Sequence, residues 1–190
     1  MAKKEIKTDL WVYGLLQEAG LDLTPQGCDI KEVAEALQTA SKSKTGNAGY
    51  PEYCGIVKDF LLVIEDKAAL ENHLAKDEKG LIMQDVKSVR EFAVNGALFY
   101  GLHLAANTSY HKVLAFGVSG GEKRHRITPI FINERGDYQE LPDVETFISF
   151  SENNIDEFYL KEILNEETDV EKTTAEILKD AEKLHNDLRN

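Results

Sequence analysis

Apolar positions at Leu10, Tyr13, Leu16 and Ala19 recur at helical spacing, with Thr8-Asp9 ahead of them and Gly20 behind. A cap, a face and a terminal glycine predict a first helix from Thr8-Asp9 to Gly20. A second is expected from Asp29, with Ile30, Val33, Ala34 and Leu37 inward and Lys31, Glu32, Glu35 and Gln38 outward. Residues 41–49 are small and polar, a turn-forming loop. The pattern then changes period. Residues 51–57 and 60–66 are short runs separated by Lys58-Asp59, which predicts a β-hairpin. The second run is apolar on both faces, as in an interior strand covered by helices. After a charged, irregular stretch at 68–85, one long helix is expected from Asp85 to Ala106, with Val86, Val89, Ala93, Ala97, Tyr100 and Leu104 along one side. Residues 112–118 and 127–133 read as strands, joined by a turn at Ser119-Gly120-Gly121 that carries Glu122, Lys123 and Arg124. Past Pro142 the helical period returns at Ile155, Phe158, Tyr159 and Ile163. It returns again at Ile177, Leu178, Ala181, Leu184 and Leu188, a narrow stripe in a charged segment that requires a partner.

The right-handed crossover rule lays strand 112–118 parallel to strand 60–66. The fold class expected is α/β: an α/β/α sandwich with a central mixed sheet over residues 1–150, followed by an acidic helical extension at 151–190. Only two strands are evident before the long helix; a third, if present, is short or lies near Thr45 to Ala48.

Charge changes this picture in one respect. The chain has 190 residues with 34 Asp and Glu against 22 Lys and Arg, a net −12, which argues against general affinity for nucleic acid. Residues 150–190 hold 12 acids and 5 bases, so the body is only mildly acidic. The longest clean apolar run, Phe60 to Ile64, is far short of the roughly 20 residues that span a bilayer, and the N-terminus lacks the apolar core of a signal peptide. A cytoplasmic protein is expected. Cys28 and Cys54 stand apart without metal-ligand spacing, and His73, His103, His111 and His185 show none either, so zinc is not indicated.

The candidate chemistry sits at the end of the hairpin. Along strand 60–66, Glu65 and Lys67 point to one face and Asp66 to the other. If Lys58-Asp59 is a two-residue turn, Glu52 lies directly opposite Glu65, with Cβ atoms about 5 Å apart. Two carboxylates so placed suit Mg²⁺ or Mn²⁺, with waters completing the coordination. A lysine beside them suits phosphodiester hydrolysis, because it can orient the attacking water or offset developing charge. Asp59 belongs to the turn, roughly 20 Å from Glu65 at the other end of the strand.

The run Gly49-Tyr50-Pro51-Glu52-Tyr53, followed by Asp59-Phe-Leu-Leu-Val-Ile-Glu65-Asp66-Lys67, resembles the PD-(D/E)xK nuclease signature. It is similar to the N-terminal endonuclease domain of type I restriction enzyme R subunits and of related fused restriction-modification proteins. The resemblance implies a restriction-endonuclease-like fold and Mg²⁺-dependent cleavage of double-stranded DNA. It makes Glu52 and Glu65 the metal-binding acids and Lys67 the catalytic lysine. It also implies partners on the same or other chains: a helicase or translocase, and methyltransferase and specificity modules. The run Ala93-Val94-Asn95-Gly96-Ala97-Leu98-Phe99-Tyr100 resembles the family's Gln-x-x-x-Tyr helix, with Gly96 where glutamine is expected and Tyr100 retained as a possible DNA contact.

Lys123, Arg124 and Arg126 are further candidate phosphate contacts, against the reading of a solvated turn. Glu18 could be an additional acid or a surface residue, and residues 41–47 could border DNA. The sequence has neither a phosphate-binding loop of the translocating ATPases nor the Asn-Pro-Pro-Tyr run of an adenine methyltransferase. Three functions stay open: an endonuclease domain, a nuclease-fold binding or assembly module without turnover, and a small nucleotide phosphatase.

Overall fold

Lys58 adopts φ +53° and reverses the chain in two residues, so β2 (Tyr53–Val57) and β3 (Phe60–Lys67) pair antiparallel with Val57 opposite Phe60 and Tyr53 opposite Ile64. That is the expected register. The computed structural model describes residues 2–165, 177–179 and 181. β3 pairs in parallel with β4 (Lys112–Gly121), as the crossover rule requires, and β4 pairs antiparallel with β5 (Arg124–Asn133). Two short edges complete a mixed six-stranded sheet: β1 (Thr24–Pro25) beside β2 and β6 (Tyr138–Glu140) beside β5.

Alternation along β3 divides the core. Phe60, Leu62 and Ile64 face a layer made by α1 (Ala2–Glu18) together with Phe147, Phe150 and Ile155, whereas Leu61 and Val63 face α2 (Lys31–Leu37) and α4 (Ala93–Asn107). Helices therefore cover both faces, an α/β fold compatible with the restriction-endonuclease-like class. Ile155 on the short helix α5 (Ile155–Phe158) is fully buried, and Tyr159 packs edge-on to Phe60 with ring centroids 5.4 Å apart. The start of the expected C-terminal extension thus forms part of the α1-side layer. Leu184 and Leu188 of the C-terminal stripe lie outside the described residues, while Ile177 and Leu178 are helical and exposed.

Several expectations are corrected. Thr8-Asp9 is not a cap: α1 starts earlier, the Thr8 hydroxyl donates to the Gly120 carbonyl at 2.9 Å, and the Asp9 carbonyl accepts from Tyr53 Oη at 2.9 Å. Gly20 does close that helix, at φ +68°. Asp29 does not cap α2, whose N-cap is Ile30 without a side-chain bond. The extra strand is β1 and not a segment near Thr45 to Ala48. The helix expected from Asp85 to Ala106 is two, α3 (Val86–Glu91) and α4, broken where Phe92 is extended. Asp85 caps α3 through Ser88 N at 3.1 Å, and the His73 carbonyl takes the Val94 amide at 2.9 Å, serving a free donor of the restarted helix. The turn between β4 and β5 is Glu122-Lys123; Ser119, Gly120 and Gly121 are strand residues.

Candidate active site

Glu52 and Glu65 stand on neighbouring strands at one end of the sheet, close enough for each charge to bear on the other. Glu52 immediately precedes β2 and, by the continued register, stands opposite Glu65 on the α4 side. Glu65 is 1% exposed; its Oε2 pairs with the Lys42 ammonium and lies 3.9 Å from Lys67 Nζ. Among the described residues nothing hydrogen-bonds Glu65 Oε1. A buried carboxylate oxygen without a donor is costly and fits a site shaped for a cation. Glu52 accepts from Gln26 Nε2. Burial, helped by the neighbouring charges of Glu65 and Asp9, pushes the Glu52 carboxyl up to about 7.

Glycine and a tyrosine fix the approach to Glu52. A Cβ on Gly49 would meet the Ala40 carbonyl oxygen at 2.3 Å and the Tyr100 ring at 2.5 Å, so only glycine lets the chain pass there. Gly49 N donates to the Leu37 carbonyl at 2.7 Å, and Tyr50 N donates to Tyr100 Oη at 3.0 Å. Tyr100 is buried, and its hydroxyl anchors the segment that leads to Glu52. Over Glu65, Gly117 is the register partner on β4, and a Cβ there would lie 2.5 Å from Val94 backbone. Its absence seats the first turn of α4, the positive end of that helix dipole, on the carboxylate.

On the opposite face, Asp66 is buried and hydrogen-bonded to the Asp9 carboxylate of α1. Burial, with the charges of Asp9 and Glu52, raises its carboxyl to about 9, so it stands protonated at neutral pH. On the site's own face, the segment after Lys67 is tied down by His73, buried between Ser119 Oγ at 2.8 Å and Thr128 Oγ1 at 2.7 Å. Thr128 spends its hydroxyl proton on Asp143, so His73 Nε2 must donate to Thr128 and Nδ1 must accept from Ser119. Burial lowers this imidazole to about 4, which keeps it neutral.

The structure thus brings Glu52, Glu65 and Lys67 together and places Asp59 at the far end of β3, where it pairs with Lys112 at 2.9 Å. Glu18 is exposed at the end of α1. Lys123 and Arg124 are exposed at the β4–β5 tip and, with Lys7 and Trp11 of α1, line a groove of about 730 Å³ on the α1 side. Arg126 is drawn back onto Asp143 at 2.8 Å. Three participants carry no sequence signal. Lys42 and Gln26 come from irregular segments, and Asp9 lies inside α1 and not at its start. Among the described residues no group of three or more His, Cys, Asp or Glu forms a metal cluster; the donor set is the two carboxylates, sufficient for a hard ion that keeps most of its waters. Nor is any helix among them long and apolar enough to cross a membrane.

No family model and no solved structure matches the chain. The chain is 33% identical over 192 residues to the type II restriction enzyme and methyltransferase RM.BcgI of Heyndrickxia coagulans. The match takes in the whole of this chain and 30% of that protein, so the chain spans less than a third of the relative's length. It is related in sequence to a restriction-modification protein.

Proposed function

We propose that the chain is a Mg²⁺-dependent endonuclease domain of the PD-(D/E)xK type, working within a fused restriction-modification protein. The observation that carries this reading is the convergence of Glu52, Glu65 and Lys67 at one end of the hairpin, with a buried Glu65 oxygen lacking any donor among the described residues. Glu52 and Glu65 would hold the ion. When bound, it supplies Lewis acidity toward a phosphoryl oxygen and lowers the pKa of its water.

The protein's own groups do the rest. Lys67, a quarter exposed and adjacent to Glu65, is placed to orient the attacking water and to offset charge that grows on the phosphate. Glu52 has to shed its proton before it can act as a ligand. The Asp66–Asp9 pair lies on the other face, whereas the His73 network lies on the site's own face, where it ties the segment after Lys67 to Ser119, Thr128 and the start of α4.

Double-stranded DNA reaches this edge against a net charge of −12. Because Lys67 pairs with Ser119, the β4–β5 tip runs on past the site, and its Lys123 and Arg124, with Lys7, stand in a groove on the other face that also holds Trp11 and Glu122. The relative's combined name favours a methyltransferase on the same polypeptide over a separate translocase of the type I arrangement. The test is plasmid cleavage by the complete fused protein with Mg²⁺, in the wild type and in Glu65→Ala. Cutting that needs the metal and is lost in the variant supports the proposal. Undiminished cutting by the variant makes this domain a binding module.

A further inference from the structure

The nuclease reading leaves Lys42 without a role. It lies in a loop of small polar residues where Lys44 is exposed, yet its own side chain is only 17% exposed. Lysine is buried only where it is paired. Its ammonium pairs with Glu65 Oε2 and stands 4.8 Å from the centroid of the Tyr100 ring. A divalent ion on the same carboxylate would meet this ammonium at close quarters, and two cations sharing one buried carboxylate repel strongly.

The lysine has somewhere to go. It borders an open pocket of about 380 Å³, also lined by Ser43, Asn47, Tyr50 and Arg90, on the solvent side of Tyr100. Four side-chain torsions lie between its charge and a backbone held by Ser41, whose Oγ accepts from Thr45 N at 3.1 Å. The ammonium can therefore swing outward while the loop stays in place.

We infer that Lys42 is a built-in stand-in for the divalent ion: its ammonium neutralises Glu65 in the metal-free protein and is displaced into the 40–50 pocket when metal binds. This rests on the reading of Glu52 and Glu65 as metal ligands. It assigns Lys42 a positioning role, in which it pairs with the buried carboxylate before metal arrives and sets the metal affinity through the displacement it demands.

The test is calorimetric titration of Mn²⁺ into the full chain as wild type, Lys42→Met, Lys42→Gln and Glu65→Gln, with thermal unfolding of each with and without Mn²⁺. Removing the competing ammonium should tighten Mn²⁺ binding by about tenfold or more in both Lys42 variants. Both should melt below the wild type without metal and gain more from Mn²⁺ than it does. If Glu65→Gln loses binding while the Lys42 variants bind no more tightly than the wild type, the stand-in role is overturned and the metal site survives. If no protein binds Mn²⁺, the metal site fails and the inference fails with it.

Discussion

Gly96 of α4 faces Glu65 so closely that a Cβ on it would stand 3.2 Å from Glu65 Oε2 and 2.9 Å from the Val89 carbonyl oxygen. The resemblance to restriction nucleases leads one to expect glutamine here, and no longer side chain fits without moving α3 or the carboxylate. Gly96→Ala should gain about 1 kcal/mol in helix propensity and lose about 1–3 kcal/mol to overpacking, for a net lowering of the melting temperature by a few degrees. Metal affinity should fall with it, because Glu65 is pushed aside. Thermal unfolding and Mn²⁺ titration of Gly96→Ala and Gly96→Gln check this; unchanged affinity would show that Glu65 has room to spare.

Glu52 titrates near 7 in the metal-free protein, because burial and the facing Glu65 favour its neutral form. An ion that binds Glu52 must expel this proton. Mg²⁺ or Mn²⁺ affinity should therefore rise by up to about tenfold per pH unit below 7 and level off above it. Calorimetry in buffers of different ionisation enthalpy should detect close to one proton released per ion at pH 6 and few at pH 8. In Glu52→Gln both the affinity and its pH dependence should be lost.

Asp66 provides a test in stability. Its carboxyl titrates near 9 when folded, against 3.8 ordinarily. Between those values the folded state binds more protons than the unfolded state, so stability falls as pH rises. The slope reaches about 1.4 kcal/mol per pH unit for one proton. Glu52 adds to the slope between 4.5 and about 7. Asp66→Asn keeps the shape and the hydrogen bond to Asp9 while removing the titration. Its advantage in melting temperature over the wild type should be small at pH 5 and several degrees at pH 8, in metal-free buffer. A constant difference across that range would show that Asp66 ionises freely.

The hairpin was legible in the sequence because a two-residue turn at Lys58-Asp59 sets the parity of every later pair, so Glu52 opposite Glu65 follows from counting. The parallel partner of β3 was legible for a similar reason, since handedness leaves few crossovers. What escaped was governed by distant contacts. The break at Phe92 is invisible because the apolar period runs on through Val89, Ala93 and Ala97, and the amide freed at Val94 is met by His73, 21 positions earlier. β1 is two residues long and exists only as an edge of β2, too short for any alternation to show. Lys42, one polar residue in a polar loop, acquires meaning only when Tyr100 and Glu65 are beneath it. Asp9 looks like a cap in the sequence because the apolar run starts beside it, whereas the helix extends back to Ala2 through mostly polar residues with no apolar period.

The most direct test of the nuclease claim is the rate of DNA cleavage by the restriction-modification protein proposed to contain this domain, carrying Glu52→Ala, Glu65→Ala, Lys67→Ala or Asp59→Ala, with any methylation it performs measured alongside. The first three lie at the end of the hairpin, beyond the apolar core, and should each reduce cutting by at least about a hundredfold while any methylation is unaffected. The Glu52→Ala/Glu65→Ala double variant should be hardly worse than either single change, since the pair acts as one unit. Asp59→Ala, whose residue pairs with Lys112 at the far end of β3, should cut at the wild-type rate. Wild-type cutting by all four variants would contradict the account and place the nuclease elsewhere in the protein.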